Sequence, residues 1–260
     1  FNLFKIDSER GFYFNFGESF KYGIPVTEKI KEGMGVSFAV AFIATIFEFM
    51  IAIPLGVTAA THQYSIRDYV VTILVMIGIS LPSFFFATVL KLIFCVKLGW
   101  FDLFGVVSKY HETMTPVMKV LDMAHHYILP VITLTIVSIG SLMRYTRTNM
   151  LEVLNSDYIR TARAKGLSEK VVINKHAFRN TLIPIITLVG GMLPGLFSGA
   201  MITETLFGIP GIGYISYQAM VEGDIPFTMF YMLFLAMLTL LGTLLSDILY
   251  AVVDPRVRVH

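Results

Sequence analysis

Chemistry in this sequence concentrates in one basic stretch and a few isolated acids. The stretch is Tyr158-Ile159-Arg160-Thr161-Ala162-Arg163-Ala164-Lys165-Gly166-Leu167-Ser168. Ala162 and Gly166 are four residues apart, so a helix here is thin on one side near its glycine end. Such an end can seat in a cleft on another protein. Equally, a basic loop can do no more than hold the cytoplasmic side of a membrane protein. Glu48, Glu204 and Asp247 stand alone inside apolar runs. Ionisable groups in lipid are costly and mark functional positions by default. Glu48 is the deepest and suits the wall of a polar pathway. Glu204 is expected to anchor the turn Phe207–Gly213. Lys91 and Lys97 are expected to snorkel outward.

Other chemistries lack their residues. His111, His125 and His126 cluster in a loop, but their spacing is no metal-ligand set and no cysteine joins them. The single cysteine, Cys95, cannot form an intrachain disulfide. There is no G-x-x-x-x-G-K-[ST] phosphate loop, and Gly211-Ile212-Gly213 is too short for a dinucleotide fingerprint. Neither G-x-S-x-G nor H-E-x-x-H occurs, so this chain is not expected to be an enzyme. An intramembrane protease could draw on Ser83 or Ser138, but no histidine lies in an apolar core to pair with them. The net charge of +2 is too small to imply a nucleic-acid partner.

The elements that must position these residues are membrane spans. Hydrophobic residues make up 55% of the 260 and charged residues 15%, against about 25% charged in soluble domains. Five apolar stretches are long enough to cross: Met34–Ala60, Tyr69–Leu98, Tyr127–Met143, Leu182–Leu206 and Phe227–Val253. Leu81-Pro82-Ser83 is the expected break in the second. These spans cannot be strands, because barrel strands are shorter and alternate in polarity. Gly191, Gly195 and Gly199 give the fourth stretch a small-residue face. That face suits either helix packing or the side of a pathway.

Charge sets the orientation. Arg144–Arg179 carries eight basic residues against three acidic ones, while the Gly99–Ala124 and Phe207–Pro226 loops are net acidic. The basic segment is therefore expected inside, with the acidic loops outside. Phe1–Gly33 is then outside and the C-terminus, with Arg256 and Arg258, inside. An outside start at Phe1 predicts one more spanning helix upstream. Asn155-Ser156-Asp157 and Ser168-Glu169 are helix starts and Gly166 a stop, so the basic loop (about 150–181) reads as two short helices. Val26, Ile30 and Met34 predict a short interfacial helix within residues 1–33. Trp100, Phe101 and Phe104 suit an interfacial aromatic belt.

The loop resembles the "EAA" loop of binding-protein-dependent ABC importer permeases, in the version of the oligopeptide/dipeptide B-type subunit. It departs from the general pattern in having Arg160-Thr161-Ala162 where other importers have Glu-Ala-Ala, as is usual in the peptide branch. The resemblance continues through His176-Ala177-Phe178-Arg179-Asn180-Thr181-Leu182-Ile183-Pro184. Gly17-Glu18-Ser19-Phe20 with Pro25-Val26, Glu204 to Gly213, and Asp254-Pro255-Arg256 extend it along nearly the whole chain. It implies an all-α type I importer transmembrane domain that forms half of a peptide pore in a bacterial or archaeal cell membrane. It also implies a second permease subunit, two ATPase subunits holding ATP and Mg, and an external peptide-binding protein. Tyr158, Arg160, Thr161, Ala162, Ala164, Lys165, Gly166, Leu167 and Ser168 would form the ATPase-coupling loop. Nickel or another small solute is the alternative cargo. A gradient-driven secondary transporter is a further alternative, but it should show inverted repeats, and none is visible.

Overall fold

The computed structural model describes residues 4–7, 11–14 and 16–253. A short antiparallel hairpin, β1 (Phe4–Asp7) and β2 (Gly11–Phe14), precedes the helices, with Phe4 opposite Phe14. The regular elements after it, among the described residues, are helices. Lipid offers backbone groups no hydrogen bonds, so long apolar segments satisfy them internally as helices.

Helix α1 (Val26–Thr61) begins at Pro25 and runs 36 residues without a break. The expected interfacial helix is therefore the first turns of this span rather than a separate element. Only helix-compatible residues separate Met34 from the apolar run. Its buried stripe is Gly33, Ser37, Val40, Ala44, Glu48, Ala52, Gly56 and Ala59, nearly all small, while Phe42, Phe47 and Met50 face outward. This inverts the soluble pattern: bulk faces lipid, and small residues let helices approach. A Cβ on Gly56 would stand 2.8 Å from the Met143 carbonyl oxygen, so α1 crosses its neighbour at backbone range.

That neighbour is α4 (Pro116–Leu154), a 39-residue helix starting at the Thr115 cap. It extends well beyond the expected Tyr127–Met143 at both ends. Between them in sequence, α2 (Ile66–Ser80) and α3 (Ser83–Leu90) meet at Leu81-Pro82 with a 96° bend, and α3 continues as a π-helical stretch, Lys91–Lys97. Proline supplies no amide hydrogen and keeps the preceding residue extended, which breaks the segment here.

The basic loop holds α5 (Asp157–Ala164). After it, α6 (Glu169–Val171), a π-helical turn (Val172–Ala177) and α7 (Phe178–Ser198) form one 30-residue helix. The expected second short helix thus runs on through Pro184 into the membrane. The fourth span does not reach Leu206. It stops at Ser198, because Gly199 has φ +77. The chain then folds back through α8 (Met201–Phe207) and α9 (Ile212–Val221) before α10 (Ile225–Val253). Among the described residues four helices are long and apolar enough to cross a membrane, or five spans if the bent pair is one.

Val26, Ile30, Ile212, Ile215, Phe227 and Tyr231 form a core at one end, and Ala60, Met150, Ile159, Val172 and Ala177 one at the other. Outside the spans, Asp224 accepts the Ser19 hydroxyl hydrogen and the Lys21 and Phe227 amide hydrogens. Burial pushes its carboxyl upward, but these donors together hold it below the usual carboxylate range. The C-terminal Asp254-Pro255-Arg256 and Arg258 lie outside the described residues.

Candidate functional site: a central cavity and a basic loop

The basic loop is a rigid corner. Helix α5 ends in a Schellman arrangement: Gly166 takes φ +76, its amide bonds the Arg163 carbonyl, and the Leu167 amide reaches back to Ala162. Arg163 then grips Glu169 at both oxygens, Nε–Oε2 at 3.1 Å and Nη2–Oε1 at 2.7 Å. This fork ties α5 to the helix that leads into the membrane.

The structure divides the predicted loop residues into two faces. Ile159 and Ala162 point inward onto Met150, Val172 and Ala177. The expected thin face is therefore not an exposed one, since the smallness of Ala162 serves packing within the chain. Tyr158, Arg160, Thr161, Ala164, Lys165, Gly166, Leu167 and Ser168 are exposed, with the Tyr158 ring and the Leu167 side chain uncovered at opposite ends.

Glu204 sits where α8 and α9 fold against α1. Its Oε1 accepts from Ser37 Oγ at 2.6 Å and the Ala200 amide at 3.0 Å, and its Oε2 accepts from the Tyr214 amide at 2.8 Å. Ser37 Oγ in turn accepts from the Ile212 amide at 2.8 Å. One carboxylate thus satisfies donors on three segments around the Phe207–Gly213 turn. Gly199, Gly211 and Gly213 crowd against it with no room for side chains.

Between α1, α4 and α7 lies a cavity of about 510 Å³. Glu48, Thr45, Ser138, Ser141, Gly191 and Gly195 help to line it. A Cβ on Gly191 or Gly195 would touch nothing, so these glycines shape open space rather than a helix contact. The glycine that packs is Gly190. Its Cβ would strike the Ser246 backbone on α10, and one on Gly242 would stand 2.8 Å from the Gly190 carbonyl oxygen. The four-residue spacing had drawn attention to the neighbouring helix face.

Three further placements differ from expectation or were not legible. Lys91 does not snorkel outward. Its ammonium donates to the Leu206 carbonyl and lies 3.8 Å from the centre of the Phe104 ring. Lys97 and Asp247 are exposed. The histidines brace the loop between Gly99 and Thr115 against α4: His111 Nδ1 meets Asp122 Oδ2 at 2.7 Å, His126 Nε2 meets Asp102 at 3.1 Å, and His125 stacks on Phe101. No metal-binding cluster occurs among the described residues. Sequence reasoning missed the Asp68–Arg147 pair, in which Arg147 forks onto a buried carboxylate that also accepts from the Tyr64 amide. Only Ser65 and Asp68 at a helix start hinted at a buried acid there.

Residues 52–259 match the family described as "Binding-protein-dependent transport system inner membrane component". The chain is 41% identical over 245 residues to the oligopeptide transport system permease protein AppB of Bacillus subtilis (strain 168), covering 94% of this chain and 76% of that one. It is 36% identical over 258 residues to the dipeptide transport system permease protein DppB of Escherichia coli (strain K12), covering 93% and 76%. Among solved structures it is similar to the inward-facing MetNI methionine ABC transporter, with a TM-score of 0.66, 18% identity, and coverage of 88% of this chain and 97% of that one. At that identity the likeness is one of fold: the type I importer transmembrane domain.

Proposed function

This chain belongs to the binding-protein-dependent transport system inner membrane component family, and on that premise we propose that it forms half of the pore of an ATP-driven importer of oligopeptides or dipeptides. The peptide cargo is supported by the oligopeptide and dipeptide permeases to which the chain is 36–41% identical. A second permease subunit completes the pore, two ATPase subunits hydrolyse ATP with Mg, and an external binding protein delivers cargo. The chain itself is a transport subunit.

The observation that carries the coupling part of this reading is the 30-residue helix Glu169–Ser198. Its first residue is clamped to the basic loop by Arg163, and its far half lines the cavity with Gly191 and Gly195. At about 1.5 Å per residue it spans roughly 45 Å. The exposed loop face, from Tyr158 to Ser168, docks on an ATPase subunit in the cytoplasm. Closure of the ATPase pair pushes on the loop, and the stiff helix carries the displacement to the cavity wall. That is a rigid-body switch biased from a distant site.

The test is purification of the chain from membranes with its partners, followed by reconstitution into vesicles. We expect ATPase subunits to co-purify and radiolabelled peptide to enter only with ATP and binding protein. Uptake driven by an ion gradient without ATP would overturn the coupling. Uptake of nickel but not peptide would overturn the cargo.

A further inference from the structure

Two buried carboxylates lie in the membrane-embedded part of α1 and its neighbours, and they are in opposite situations. Glu204 is 1% exposed and has three donors. Glu48 is 9% exposed and has no hydrogen bond or ion pair among the described residues. Glu204 is thus accounted for by the fold, whereas Glu48 lines the 510 Å³ cavity and no protein donor reaches its carboxylate among the described residues. An ionisable group held within a span without a protein partner is costly and marks a functional position.

The cavity selects what that partner is. No lysine, arginine or histidine lines it. Thr45, Ser138 and Ser141 also line it, and their hydroxyls make no hydrogen bond among the described residues. Gly191 and Gly195 open the wall opposite, leaving room for a chain rather than a side-chain contact. A volume of this size lies within the range that holds a small ligand. One acid with hydroxyls around it and no base complements a primary ammonium, which can donate three hydrogen bonds.

Resting on the peptide-importer reading, we propose that Glu48 and the hydroxyls of Thr45, Ser138 and Ser141 form a transit site for the ammonium group of a peptide crossing the pore. The ammonium comes from the peptide N-terminus or from a lysine side chain. Glu48 attracts it into the cavity, offsets its desolvation there and releases it when the walls move.

The test uses the whole transporter in vesicles, with tri-alanine and Ala-Lys-Ala as probes. Glu48→Gln keeps the shape and removes the charge, so it should lower the uptake rate about tenfold, as loss of one charge-assisted contact does. Assembly and binding-protein-stimulated ATP hydrolysis should remain. Glu48→Asp, and a charge moved across the cavity in Glu48→Gln/Ser138→Glu, should restore most of the uptake. Loss with both probes assigns the N-terminal ammonium, and loss with Ala-Lys-Ala alone assigns the lysine side chain. Uptake within twofold of wild type for both probes, loss of assembly in Glu48→Gln, or no recovery in either charged variant would overturn the transit site. Absence of uptake by the wild-type transporter would instead overturn the peptide reading on which it rests.

Discussion

Arg147 on α4 holds Asp68 on α2 through two parallel hydrogen bonds, Nε to Oδ1 at 3.1 Å and Nη2 to Oδ2 at 2.9 Å. Asp68 is 4% exposed and also accepts from the Tyr64 amide and the Thr72 hydroxyl. The pair fixes the first turn of the bent second span to the long helix that leads into the basic loop. Removing the cation leaves a buried carboxylate with half its partners. Arg147→Ala should therefore destabilise the detergent-purified protein by about 2–3 kcal/mol. Arg147→Lys should recover part of this, because it keeps the charge but loses the fork. A thermal-unfolding cycle with Asp68→Ala checks it, and additive single effects would show the two residues to be uncoupled.

Adjacent glycines on α7 should behave in opposite ways. Gly190→Ala forces a methyl into the Ser246 backbone, which should cost about 1–3 kcal/mol or separate α7 from α10. Gly191→Ala meets open cavity and should be neutral or stabilise by up to about 1 kcal/mol, since alanine is the better helix former. Thermal stability of the two variants decides. Equal destabilisation would mean that Gly191 also packs against protein in the folded state.

Orientation is open to direct labelling. In a Cys95→Ala background, cysteines at Lys170 and Glu222 should react with impermeant thiol reagents from opposite sides of the membrane. Both positions are exposed, so accessibility does not confound the result. Labelling from the same side would reverse the charge argument for one of the loops.

Gly166 tests the docking role of the basic loop. It is exposed, has φ +76 and would meet nothing with a Cβ. Gly166→Ala incurs only the left-handed backbone penalty of about 1–2 kcal/mol and should keep most ATPase binding. Gly166→Glu adds bulk and a charge that would be buried unpaired at a protein contact, and it should abolish most assembly or coupled transport. Membrane insertion should be unchanged in both. Bound ATPase, stimulated ATP hydrolysis and peptide uptake are the readouts, and normal values for Gly166→Glu would reduce the loop to a solvated basic surface.

The sequence alone determined the solvent, the class of element and the location of one rigid loop. Those follow from local properties. Apolar runs of spanning length can only be helices in lipid, Pro82 breaks its own segment, and Gly166 terminates the turn it sits in. It also carried the family resemblance, because that rests on ordered motifs. What it left undecided was which side of each helix faces protein. In an all-apolar span the usual polar–apolar periodicity is absent, so Gly191 and Gly195 could be read as packing or as pathway residues, while Gly190 did the packing. The same ambiguity hid the retention of Lys91 beneath Phe104, whereas Ile159 and Ala162, one turn apart on the otherwise polar α5, did mark an inward face. Contacts between distant segments were equally silent. Asp68 and Arg147 are 79 residues apart, and nothing in their spacing joins them. Only the tertiary structure could separate two acids that look alike in sequence. It surrounds Glu204 with three donors and leaves Glu48 on a cavity wall with no protein donor among the described residues, because hydrogen-bond satisfaction depends on what neighbouring helices bring to a point in space.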